Sequence, residues 1–270
     1  VAHGPRSADS VTRYVASMES SSSRKYVDMV RLLGRVGEPR HVAMLIRNLG
    51  EGTPHVRNER VRAIAKAGVE LVEPLIIAAA EAPDSAASYD ALKALNLIGR
   101  REHYASQGTL PREETFFELL RKTEDRRNLM RGLRVLRYFR ADGYVDLAAG
   151  RFAGHRDPLI RKEAISALER YDSDRARGLI VAALRDGSPD VRIEAAETLG
   201  RRPDTHRVVT ELHDYVDREQ WELGLRQAFR ALAGAEGEQT DRIFESFFRE
   251  RPNAKITLIA AHALNRANRP

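Results

Sequence analysis

One period governs this chain. A small or apolar residue, three residues, then an apolar residue, often followed by Gly, occurs at Leu32/Val36-Gly37, Ala63/Ala67-Gly68, Ala94/Ile98-Gly99 and Gly132/Leu136. It continues at Ala164/Leu168, Ala195/Leu199-Gly200, Ala228/Leu232 and Ala260/Leu264. The first positions of these anchors are 31, 31, 38, 32, 31, 33 and 32 residues apart. A unit of that length is one supersecondary element, too small to bury its own apolar face, so it must stack on neighbours of the same kind.

Each unit reads as two helices. The first carries the anchor with apolar positions at i, i+4 and i+7, as in Trp221, Leu225, Ala228 and Leu232. This stripe assigns Trp221, the only tryptophan, to the core. Gly after the last apolar residue is the expected helix stop. The second helix follows at once in "EPRHVAMLIRNLG", "ELVEPLIIAAAEA", "SDRARGLIVAALRD" and "THRVVTELHDYVD". Ser173 and Thr205 supply capping oxygens, and Pro158 and Pro189 fall where a first helix begins. No segment keeps the period-two alternation of a strand. The fold class is therefore all-α, an α-α superhelix of about seven to eight stacked helix pairs.

The segments "SPDVRIEAAETLGRR", "DPLIRKEAISALERY" and "NERVRAIAKAG" followed by "VEPLIIAAAEAP" resemble HEAT repeats, in particular the short variety named after phycobilisome lyases. The resemblance runs from Ser23 to Asn265. It is strongest over Asp157–Arg202 and weakest over Arg101–Gly143. It implies stacked antiparallel helix pairs in a curved solenoid, first helices outside and second helices inside. The pairs Val191-Arg192 and Ile160-Arg161 are expected to put the apolar residue in the seam and the Arg on an acid of the adjacent unit. Residues 1–22 are read as an N-terminal segment with a short amphipathic capping helix, Asp9–Glu19, and 23–270 as the solenoid. An insertion lies near 100–112 and a C-terminal capping helix covers 252–269.

Composition narrows function chiefly by exclusion. There is no cysteine, which removes disulfides, thiolate metal sites and a Cys nucleophile, and is compatible with a cytoplasmic location. No run approaches the roughly 18 apolar residues of a membrane span. The first residue is Val1 rather than Met, as expected of a processed or excised product. Nucleotide-binding glycine loops, the nucleophile elbow and the paired-histidine zinc motif are missing, and no His precedes a Glu, unlike the iron-ligand pairs of HEAT-like hydroxylases. His206 and His213 lie seven apart, ~10.5 Å along a helix, too far to share a metal. Glu70 and Glu73 fall at helix starts, where the dipole favours acids. No metal and no cofactor is expected.

The net charge is +6, and the segment "RKTEDRRNLMRGLRVLRYFR", Arg121 to Arg140, holds seven Arg and one Lys against Glu124 and Asp125, the same +6. Read as one helix, it places Arg127, Arg131, Arg134 and Tyr138 on a stripe with Arg137 at its edge, and turns Leu129, Gly132, Leu136 and Phe139 to the seam. The expected role is a non-catalytic protein–protein interaction scaffold with this stripe as partner-binding surface. Two alternatives are a nucleic-acid or anionic-surface binder using the stripe, and an enzyme on the same solenoid of the DNA glycosylase or phycobilin lyase type. The inserted loop adds His103, Tyr104 and Gln107 as further candidates.

Overall fold

The computed structural model describes residues 5–16, 24–36, 38–102, 109–235, 237–250 and 254–267. Among them the chain is helical throughout, with one isolated bridge between Thr109 and Arg140 in place of any sheet. It divides into two compact units between Gly143 and Tyr144. No helix among the described residues is long and apolar enough to cross a membrane.

The first unit opens with α1 (Pro5–Ala16), which lies against α2 (Arg24–Val36). Helix α1 therefore begins before the Asp9 read from the sequence, and its Val15 is buried. His41 ties it down: its Nε2 lies 2.7 Å from Asp9, while its Nδ1 accepts the Glu38 N–H. Then follow α3 (Pro39–Val42), continued by a 3-10 turn Ala43–Asn48, α4 (Pro54–Ala67), α5 (Val72–Glu81), α6 (Ala86–Glu102), α7 (Glu113–Lys122) and α8 (Arg126–Val135). The second unit holds α9 (Tyr144–Leu147), α10 (Pro158–Ala167), α11 (Asp174–Ala183), α12 (Pro189–Arg201), α13 (Val209–Arg218), α14 (Glu222–Gly234), α15 (Glu238–Glu250) and α16 (Ala254–Arg266). Every anchor found in the sequence falls on an even-numbered helix or the turn that ends it. Within the first unit α2, α4, α6 and α8 pack in succession, and within the second α10, α12, α14 and α16 do the same.

The starts of these helices are written locally. Thr53 Oγ1 accepts the Val56 N–H and Pro54 opens α4; Asp157 accepts the Leu159 N–H and Pro158 opens α10; Ser173 Oγ accepts the Ala176 N–H to cap α11. Thr205 differs from expectation. Its hydroxyl donates to the Leu199 and Arg202 carbonyls, so it finishes α12 rather than capping α13.

The glycines divide by role. Gly68, with φ +93°, ends α4 as a left-handed stop. Gly99 and Gly200 lie inside α6 and α12 and have no positive φ, which corrects their reading as stops. A Cβ on Gly200 would stand 2.9 Å from the Ala231 Cβ, and one on Gly34 would stand 2.9 Å from the Ala63 Cα. They are glycines because the next first helix sits where a side chain would be.

The apolar–Arg pairs behave as read. Each Arg crosses to an acid of the following unit: Arg31 to Glu59 at 3.0 Å, Arg57 to Asp90 at 2.8 and 2.9 Å, Arg161 to Asp186 at 2.7 Å, Arg192 to Glu219 at 2.8 and 3.2 Å. Two Gly-Arg-Arg segments reach back instead. Arg101 donates to the Lys66 carbonyl at 3.0 Å, and buried Arg202 donates to those of Leu168 and Tyr171 at 3.2 and 2.8 Å. A cation on the last carbonyls of a helix completes its unpaired end.

These pairs fix carboxylates in the acid form's least comfortable surroundings. Arg202 and, against burial, Arg177 hold the Asp204 carboxyl at about 2. Burial pushes Glu219 up, but Arg192 and the N–H of Trp221 outweigh it and leave the carboxyl at about 2. With a folded pKa below the unfolded one, this stabilisation is complete above the ordinary carboxylate range and is lost as pH falls from 4.5 toward about 2. The loss is on the order of 2–3 kcal/mol per group. Urea denaturation will therefore show lower stability at acid pH, and Glu219→Gln will be weaker at neutral pH with a smaller acid decrement; equal decrements in both proteins contradict the assignment. At the seam, Leu199→Ala, a side chain 1% exposed, is expected to cost about 2–5 kcal/mol in the same measurement. Gly200→Ala should cost about 1–3 kcal/mol by overpacking, although it improves helix propensity, and a stabilised variant would refute the close approach.

Candidate interaction surface

The basic segment is not one helix. Lys122 ends α7, the loop 123–125 turns the chain, and α8 stops at Val135. The turn is fixed from the start of α6: Asp84 accepts the N–H groups of Glu124 and Asp125 at 2.9 and 2.8 Å, and Asp125 accepts that of Asn128 at 2.9 Å. The Asn128 amide donates to Pro83 and Ser85 carbonyls at 2.7 and 3.1 Å. Leu129, Gly132, Leu136 and Phe139 are buried, as the periodicity predicts.

The arginines have separate fates. Arg127 is exposed beside a hollow of about 270 Å3 that Arg57, Tyr89 and Asp125 also line. Arg131 lies over the Tyr89 ring, 4.3 Å from its centroid, and donates to the Tyr89 hydroxyl at 2.6 Å. Arg134 is half-buried on α8, and Arg137 and Tyr138 are half-buried in the turn beyond it. The Tyr138 Cβ would meet a side chain on Gly99 at 2.5 Å, so this tyrosine sits directly on α6. Arg121 is shared by Glu114 and Glu118 at 2.6 and 2.9 Å, and Arg140 meets Asp142 at 3.2 Å. Arg127, Arg131 and Arg134 thus share α8, while the other two follow its end. His103, Tyr104 and Gln107 lie outside the described residues.

Trp221 is not in the core. It is 58% exposed, and Leu223, two residues on, is 53% exposed. The chain leaves α13 and starts α14 here, and the buried Glu219 carboxylate accepts the N–H groups of Gln220 and Trp221 at 2.9 and 3.0 Å. Trp221 is therefore the N-cap residue of α14, one turn short of the stripe it was assigned to, and its side chain points away from the seam that Leu225, Ala228 and Leu232 fill. The sequence carries no capping residue type at this position to mark the helix start, so the 3.6 period was extended one turn too early.

Between α14 and α16 runs a groove of about 580 Å3 lined by four cations, Arg226, Arg230, Lys255 and Arg266, together with His262 and exposed Leu258. Glu222 is held by Lys255 at 2.8 Å and Arg226 at 2.6 Å, and both cations lower its carboxyl. His206 and His213 occupy different elements, a 3-10 turn and α13. Among the described residues no cluster of three or more His, Asp or Glu is placed to hold a metal ion.

A family model of HEAT repeats matches residues 145–233. No curated protein matches the sequence. Among solved structures, the Escherichia coli protein YibA aligns with a TM-score of 0.51 at 16% identity, over 96% of this chain and 92% of that one. An engineered protein aligns with a TM-score of 0.50 at 16% identity, over 97% and 82%. An archaeal HEAT-like repeats protein from Thermococcus onnurineus aligns at 0.45 and 16%, over 98% of each chain. At 16% identity the likeness to YibA and to the engineered protein is one of fold alone.

Replacing Gly99 by Ala drives a Cβ into Tyr138 and is expected to cost about 1–3 kcal/mol in denaturant unfolding. An unchanged midpoint would mean that Tyr138 is free to move off α6.

Proposed function

Because residues 145–233 match a model of HEAT repeats and the chain has the fold of stacked helix pairs, we propose that it acts as a non-catalytic scaffold whose helix-pair surface holds another protein. The observation that carries this reading is the exposed pair Trp221 and Leu223, 58% and 53% accessible, held at the entrance of α14 by Glu219. A lone exposed aliphatic residue is ordinary, but tryptophan is among the residue types most enriched at interface anchors. In the first unit, the exposed Arg127, with Arg134 on the same helix and Arg137 and Tyr138 in the turn beyond it, is a positive patch that favours an acidic partner surface and speeds encounter. On this reading each unit carries its own interaction surface: Arg127, Arg131, Arg134, Arg137 and Tyr138 in the first, and Trp221 and Leu223 in the second.

Affinity capture from native cell extract at low and moderate salt tests it. The scaffold reading predicts a protein recovered at both salts and reduced about tenfold by Trp221→Ala with Leu223→Ala, while the melting temperature changes little. Capture unaffected by both substitutions removes the anchor. Nucleic acid recovered only at low salt, with log affinity falling at a slope of about −3 against log salt, would instead favour the Arg stripe as a phosphate contact. Turnover of a substrate traceable to defined side chains would overturn the non-catalytic role.

A further inference from the structure

In the first unit the 3-10 turn Ala43–Asn48 and helix α5 leave a groove of about 550 Å3 between them. Its floor is aliphatic, with Ile46, Leu49, Pro74 and Ile77, and Ile77 stands 42% exposed. Glu73, Ile77 and Glu81 recur every four residues on α5, so one helix face presents acid, aliphatic, acid, and Glu70 extends the row. Glu73 is engaged by Arg112 at 2.7 Å. Glu70 and Glu81 are exposed and make no ion pair or side-chain hydrogen bond among the described residues. Arg47 is the one cation among the lining residues.

Two features make this rim unusual. The unit that bears it is basic, with 24 Lys and Arg against 18 Asp and Glu in residues 1–143, so the groove is a local reversal of sign. Glu81 also stands in the last turn of α5, which has no basic residue, where the negative end of the helix dipole opposes a carboxylate. A cation arriving there satisfies both Glu81 and the helix end.

We propose that this groove seats a cationic peptide segment of the partner protein, with Lys or Arg side chains on Glu70 and Glu81 and an aliphatic side chain over Ile77. The proposal rests on the scaffold reading and names the chemistry of what the scaffold holds. The basic segment 121–140 and the cations along the groove between α14 and α16 repel such a segment, whereas the rim of this groove attracts it.

The test is fluorescence anisotropy on the full chain with a labelled peptide of alternating Lys and Leu and its Glu–Leu counterpart, at about 0.1 M salt. The Lys–Leu peptide is expected to bind and the Glu–Leu peptide to fail. Glu70→Lys with Glu81→Lys should weaken binding at least about tenfold, and Glu81→Gln should weaken it severalfold while leaving the melting temperature equal or higher, because it relieves the helix end. Equal binding of both peptides, or binding indifferent to Glu70 and Glu81, overturns the proposal. So does self-association in sedimentation equilibrium that Ile77→Asp abolishes, since the groove would then belong to a second copy. Partner capture from extract that survives the double charge reversal removes the groove and leaves the scaffold standing, whereas capture that fails for the wild-type chain removes the scaffold itself.

Discussion

A helix pair with apolar side chains on both flanks has no stable existence in water until each flank meets another such pair. That requirement fixes most of what this chain does with its residues. First helices must approach closely enough to exclude water, and closeness demands small side chains at the crossing. Gly34 against Ala63 and Gly200 against Ala231 are two such crossings, since a single added methyl on either glycine meets backbone or Cβ atoms at 2.9 Å. The anchors Ala94, Ala164, Ala195, Ala228 and Ala260 are buried for the same reason.

Arginine completes the stack. Apolar burial holds neighbouring pairs together but is indifferent to their register, whereas Arg57 to Asp90, Arg161 to Asp186 and Arg192 to Glu219 are forked contacts that fit in one alignment. Arg101 and Arg202 add a second set of ties from the end of one first helix to the end of the one before. The guanidinium groups are consumed by the structure, so a high arginine content does not by itself advertise an anionic ligand. What the ladder leaves unmatched is informative: exposed Trp221 and Leu223, exposed Arg127, and the acid-rimmed groove beside Ile77.

The architecture was legible because its cause is repetitive. The spacing of the anchors located every first helix, and the apolar–Arg pairs announced the inter-unit ties, since both depend on nearest neighbours in a known register. Readings that depended on a single helix boundary fared worse. Gly99 and Gly200 looked like stops because glycine after an apolar residue commonly is one, yet both serve a close approach, from Tyr138 and from Ala231, that local pattern does not encode. Trp221 fell on a helical wheel that had not yet begun, and Arg137 with Tyr138 on one that had already ended. The groove between Ile46 and Ile77 was hidden altogether. Its residues come from two helices of adjacent pairs, and Glu70 and Glu73 had a sufficient local explanation in the helix dipole.

The central claim is that each pair is finished only by its neighbours. Amide hydrogen exchange by mass spectrometry on an Ala63→Leu variant tests it most directly, because the added bulk forces apart α2 and α4 where Gly34 meets Ala63. Protection is expected to fall in α2, α4 and the second helices packed on them, while α12 and α14 exchange as in the parent. Uniform loss of protection across α2 to α16, or no loss in α2, would contradict it.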